Sequence, residues 1–160
     1  MARLLTQFQI PNFQFPISNL QSPISNLHPP FPMESQLNKV REFHETFRLD
    51  FNHEPTAALS ERIYTLRHRL MQEENDEYLE ACMQGDLTQI ADALGDKLYI
   101  LCGTILAHGL QHKIIEVFEE IHRSNMSKLD DNGQPIYRDD GKIMKSSNYF
   151  LPDIASILER

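Results

Sequence analysis

Between residues 63 and 81 the chain carries a helical apolar stripe with carboxylates set into it. At about 100° per residue, Ile63, Leu66, Leu70 and Ala81 fall on one side of such a helix. Glu74 and Glu77 lie within that side, Glu73 lies at its edge, and Asp76 points away. Residues 90–105 repeat the arrangement. Asp92 and Asp96 stand one turn apart on a segment whose other positions are nearly all apolar. A carboxylate on a core face is costly unless something positive neutralises it. A divalent cation is the most compact neutraliser for such a cluster, so one pattern predicts both a helical fold and a metal site.

The other elements follow from the same periodicity. Leu37, Val40, Phe43 and Phe47 are spaced for a first helix, which Pro55 closes off. The second helix starts at Leu59 or Ser60 and stops at Gly85. Asp86 can cap the third, which runs to Gly109. A fourth covers residues 113–125, with Ile114, Ile115, Val117, Phe118 and Ile121 apolar. The short connections predict antiparallel neighbours. The expected class is therefore all-α and four-helix-bundle-like, with an irregular or hairpin C-terminal tail.

In that tail, residues 135–138 and 142–145 flank the turn residues Asp139, Asp140 and Gly141 as a small hairpin. A calcium loop is excluded: with Gly133 at its sixth position, the first would be Lys128, not a carboxylate. Residues 152–158 read as a final turn or two of helix.

The third helix is apolar almost all round. Ile90, Leu94, Leu98, Leu101 and Ile105 line one side, and Ala93, Ile100 and Ala107 another. A helix of this kind is buried almost all round, which a single four-helix layer of this size does not achieve. A homodimer or homotetramer is expected, with Gly95 and Gly103 allowing close helix approach.

Residues 1–32 differ from the rest. Residues 10–16, 17–23 and 24–30 are three copies of a seven-residue unit, each containing proline, so the heptad-like period cannot make a coiled coil. With Arg3 the one charge and no acid, the segment reads as a low-complexity, disordered leader. A further expectation is that translation begins at Met33 and the leader is upstream sequence read in frame. A targeting role is the weaker alternative, because a transit peptide is richer in arginine.

Residues 33–160 are then one domain. A hydrophobic content of 41% with 24% charged residues is ordinary for a globular chain and excludes a charge-rich disordered one. A net charge of −8 argues against nucleic-acid polymers and membrane surfaces as partners. Two cysteines, Cys82 and Cys102, suit small thiols in a reducing compartment, and a cytoplasmic location is expected. The longest apolar run, residues 98–110, is too short to span a bilayer.

Paired inward carboxylates on two helices supply oxygen ligands for a hard cation. Mg²⁺ commonly binds through a few carboxylates together with substrate phosphates, and Mn²⁺ accepts similar ligands. Glu74, Glu77, Asp92 and Asp96 are the candidate metal ligands, and the chemistry they suggest is phosphoanhydride cleavage.

Residues 70–81, followed by residues 90–99, resemble the all-α nucleoside triphosphate pyrophosphohydrolase superfamily of MazG-like proteins, dimeric dUTPases and phosphoribosyl-ATP pyrophosphohydrolases. Three further stretches are similar to its phosphoribosyl-ATP pyrophosphohydrolase-like branch. They are Val40-Arg-Glu-Phe-His44, His122-Arg-Ser-Asn-Met-Ser-Lys128 and Gly141-Lys-Ile-Met-Lys145.

The resemblance implies Mg²⁺-dependent hydrolysis of a nucleotide at the α–β phosphoanhydride, giving a monophosphate and pyrophosphate. It implies a Glu-x-x-Glu pair, matched by Glu74 and Glu77, and a Glu-x-x-Asp pair on the next helix. Asp96 matches the last of these, but Ala93 stands at the preceding Glu position, and Asp92 is its nearest substitute. This departure leaves one or two metal ions open. Glu73 is either a further ligand or the base for the attacking water, which makes Glu73 and Glu74 the expected catalytic pair. Asn125, Lys128 and Lys145 are implied in substrate binding.

Two other readings compete. A di-iron bundle wants Glu-x-x-His on two helices, and only Glu119 with His122 fits. A non-catalytic helical oligomerisation or scaffold module gains some support from Ala93. His108 and His112 are four apart, but Gly109 interrupts their helix and a zinc site is not expected there.

Overall fold

The computed structural model describes residues 33–160, and the low-complexity leader expected over residues 1–32 lies outside the described residues. Five helices follow in order: α1 (Met33–Thr46), α2 (Glu61–Gln84), α3 (Leu87–Ala107), α4 (Ile114–Met126) and α5 (Ile154–Leu158). The class is all-α. Among the described residues the one β feature is an isolated antiparallel bridge between Tyr137 and Ile143 in the tail.

Local chemistry explains the long α2–α3 hairpin. Gly85 adopts φ 69° and ends α2 by returning its N–H to the last carbonyls, a conformation that suits glycine. Asp86 starts α3 at once, its carboxylate accepting from the Thr88 and Gln89 amides at 2.9 and 3.1 Å. With a link this short, α2 and α3 run antiparallel along their lengths. Arg67 near the start of α2 therefore meets Ile100 and Thr104 near the end of α3.

The core sits at that same end. Leu37 and Val40 of α1 pack with Cys102, Ile105 and Leu106 of α3, flanked by Met33, Phe51, Leu110 and Ile114. Each such side chain stabilises the fold by about 1.5–3 kcal/mol when fully buried. α1 starts at Met33, four residues before the apolar pattern begins, and ends at Thr46.

The loop from residue 47 to 60 closes the core by satisfying the orphan carbonyls at the end of α3. Asn52 N–H donates to Leu106 O at 3.1 Å and its Nδ2 to Ala107 O at 2.7 Å, while Thr56 N–H donates to His108 O at 2.9 Å. His108 Nδ1 lies 2.9 Å from Thr56 O, which gives this histidine a structural role. At Gly109 (φ 67°) an added Cβ would stand 2.0 Å from Glu54 O, so the loop backbone needs glycine there.

The C-terminal tail is strapped along α4. Ser124 Oγ donates to Phe150 O at 2.8 Å, and Ser146 Oγ donates to Leu129 O at 2.7 Å and Ser127 O at 3.2 Å. Asp153 N–H donates to Glu120 Oε1 at 2.8 Å, and α5 buries Ile157.

α3 is not covered on all sides within one chain. Leu94, Leu98 and Leu101 remain 48%, 41% and 43% exposed, and Leu98 and Leu101 border, with Ile105, Ile114, Ile115, Val117 and Phe118, an apolar groove between α3 and α4. No described helix is long and apolar enough to cross a membrane.

Candidate active site

α1 stops at Thr46, level with the middle of α3, so the half of the α2–α3 hairpin nearest its turn carries no covering helix from α1. The acidic residues stand in this half. Glu74 projects from α2 straight into the seam with α3 and is 8% exposed, while Glu73, Glu77, Asp92 and Asp96 reach solvent around it. Ala81 and Ala93 are the buried small residues that let the helices approach here.

Glu74 Oε2 is buried and has no hydrogen-bond partner. Burial pushes the Glu74 carboxyl above the usual carboxylate range, and the charges of Glu77, Asp96, Glu73 and Asp92 push it further in the same direction. The fold thus brings the five predicted acidic residues into one electrostatic neighbourhood centred on Glu74. Among the described residues no three acidic, histidine or cysteine side chains converge on a point where one metal ion could be held. The donor set is nonetheless all oxygen and anionic, and it includes one buried oxygen without a partner. These are the properties a hard divalent cation requires.

The predicted substrate-binding residues belong to other elements. Lys128 Nζ donates to Asn125 Oδ1 at 2.7 Å at the end of α4, and Lys145 Nζ sits 4.1 Å from the Tyr149 ring centre in the tail. Among the described residues none of the three makes a hydrogen bond or ion pair with the five acids. Arg138 is engaged by Asp140, whose carboxyl it holds down at about 2.

Two residues that the sequence reading gave no part in the site, His44 of α1 and Arg67 of α2, meet over α3. Arg67 Nε donates to Thr104 Oγ1 at 3.0 Å, and a terminal N–H of Arg67 donates to Ile100 O. His44 of α1 is 5% exposed, and its Nδ1 is buried without a partner. Burial and the neighbouring Arg67 charge hold the His44 imidazole below its ordinary pKa, and burial alone lowers Arg67. Both side chains cross over Gly103, where an added Cβ would be 2.6 Å from Arg67 Nη2 and 3.2 Å from His44 Nε2. The available signal was spacing: Arg67 stands two turns before Glu74 on the same face of α2. The room at Gly103 is filled by the Arg67 and His44 side chains rather than by the backbone of another helix, and nothing lies within 4 Å of a Cβ at Gly95.

A model of the phosphoribosyl-ATP pyrophosphohydrolase family matches residues 40–125, a span that runs from the buried Val40 of α1 to Asn125 of α4 and contains all five acids. No curated protein matches the chain.

Proposed function

Because the chain belongs to the phosphoribosyl-ATP pyrophosphohydrolase family, whose members are hydrolases of acid anhydrides, we propose that residues 33–160 form a domain that cleaves a nucleotide at the α–β phosphoanhydride. The observation that carries the proposal is Glu74, a buried carboxylate with an unpartnered oxygen among four further acids.

Glu74, Glu77, Asp92 and Asp96 are the residues that would hold Mg²⁺ or Mn²⁺. The ion would supply neutralisation of the polyphosphate and of the leaving charge. Glu73, exposed at the edge of the cluster, takes the proton of the attacking water. Oxygen–phosphorus bond formation at the α-phosphorus breaks the α–β bridge, and pyrophosphate departs with the bonding pair. The seam around Glu74 limits the water that reaches it, which strengthens charge interactions there.

Asn125, Lys128 and Lys145 are assigned to the substrate, with Lys128 and Lys145 balancing phosphate charge. Because α3 keeps Leu94, Leu98 and Leu101 half exposed, a homodimer or homotetramer is part of the proposal. The family match favours this reading over a scaffold without chemistry.

The test is a nucleotide panel with pyrophosphate detection in Mg²⁺ and in Mn²⁺. Turnover of at least one nucleotide is expected, lost on chelation and reduced more than hundredfold in Glu77→Gln and Asp96→Asn. Absence of turnover across the panel with either metal, together with no metal-dependent thermal shift, would overturn it.

A further inference from the structure

On the α1 side of the acidic cluster stand three rings that no residue in the reading above uses. Phe43 belongs to the last turn of α1, Phe47 follows directly after it, and Tyr99 belongs to α3 one turn beyond Asp96. Their ring centres are close: Phe43 to Phe47 is 4.4 Å with planes 38° apart, and Phe43 to Tyr99 is 5.6 Å with planes at 87°. All three remain open to solvent, at 38%, 62% and 41% exposure. Adjoining aromatic rings left exposed together mark a binding surface more often than isolated ones do.

The geometry points to Phe43, Phe47 and Tyr99 as the platform for the nucleobase of the substrate whose phosphates meet the acidic cluster. This rests on the pyrophosphohydrolase reading and names a part of the same site. The occupant follows from three features. The first is continuity, since Tyr99 is about 4.5 Å along the helix axis from Asp96 and about 60° around it. A base on the rings therefore leaves its phosphates at the carboxylates, with the ribose spanning the gap.

The second feature is shape. The near-perpendicular Phe43 and Tyr99 rings form a corner, in which a flat heterocycle stacked on one ring meets the edge of the other, an arrangement aromatic pairs favour. The third is separation from the uncovered apolar side of α3. Leu94, Leu98 and Leu101 lie about 140–160° around that helix from Asp96 and about 100–160° from Tyr99, so a second copy docked there leaves the rings free. Tyr99 also offers a hydrogen bond to the base edge, because burial and the nearby Glu42 charge keep its hydroxyl protonated.

Base–aromatic stacking depends on the ring and is indifferent to phosphate, so the test compares ligands with and without a base. In Phe47→Ala, KM for the best nucleotide of the panel is expected to rise about tenfold. The inhibition constant of inorganic tripolyphosphate should stay within twofold, and Phe47→Trp should restore KM. Titration calorimetry with AMP, CMP, GMP and UMP reads the same platform without chemistry, and light scattering follows the oligomeric mass.

Equal changes for nucleotide and tripolyphosphate, or an oligomer that dissociates in Phe47→Ala, would overturn the platform in favour of a metal-site or interface role. Turnover with unaltered KM in Phe47→Ala and Tyr99→Ala would overturn it while leaving the hydrolase intact. Monophosphate binding that depends on Phe47 in a protein without turnover would do the reverse. A protein that neither turns over nor binds any nucleotide loses both.

Discussion

Replacing Glu74 by Gln is expected to stabilise the metal-free protein while removing its response to metal. The side chain is 8% exposed and its Oε2 has no partner, so the charged form bears a desolvation cost that glutamine avoids at nearly equal volume. Two like charges about 6 Å apart repel by about 0.7 kcal/mol in water and about 2.8 kcal/mol at an effective dielectric of 20. The four acids that act on Glu74 are exposed, so the lower figure applies to each. Allowing for screening, the net gain is about 1–2 kcal/mol, or about 5 °C in Tm for a domain of this size.

Binding of a divalent ion to the native state alone adds about 2.7 kcal/mol at one hundred times Kd. Wild-type protein in chelator should therefore melt below Glu74→Gln, and in saturating Mg²⁺ it should melt above it. Differential scanning calorimetry with and without metal reads both limbs. A variant that melts below wild type in chelator, or that keeps the full metal shift, would refute the reasoning.

Gly103→Ala puts a methyl group 2.6 Å from Nη2 of the Arg67 guanidinium, which is tethered through Nη2 to Ile100 O and through Nε to Thr104 Oγ1. The helix-propensity gain of about 1 kcal/mol offsets only part of the overpacking, so chemical denaturation should show a net loss of about 1–2 kcal/mol. His44 gives a pH dependence. Its native pKa lies below the ordinary 6.5, so the native state binds fewer protons than the unfolded chain. This stabilisation is complete above the unfolded value and is lost as pH falls through 6.5 toward the lowered native pKa. His44→Gln should flatten the stability profile between about pH 7 and 5, and an unchanged slope in urea titrations would exclude His44 as its source.

The turn between α2 and α3 was legible because single residues decide it: Gly85 with positive φ and Asp86 as a cap. Pro55 did not set the end of α1, which stops nine residues earlier at Thr46. The inward placement of Glu74 was legible because the stripe it interrupts is long enough to count, whereas Asp92 and Asp96, also expected to face inward, are exposed. Glu77 shows the limit of that argument. It lies within the apolar stripe by angle yet remains exposed, because α1 ends before it can cover that half of the hairpin. His44 and Arg67 were not legible. Their meeting depends on three helices and on a glycine that makes room for both, and no spacing within one segment encodes such a contact. The aromatic trio failed in the same way, since Phe43 and Tyr99 are far apart in sequence and read as ordinary stripe residues.

The placement of the apolar core at the far end of the hairpin from the acids gives the molecule a gradient of local stability. Amides near Cys102 and Leu106 are shielded by α1 and by the loop bonded over the end of α3, and their exchange with solvent requires global opening. Toward Gly85 the two helices hold only each other, so protection should fade residue by residue until the tip frays freely. Substitutions around the tip should therefore cost little global stability, because the core lies at the other end of the hairpin.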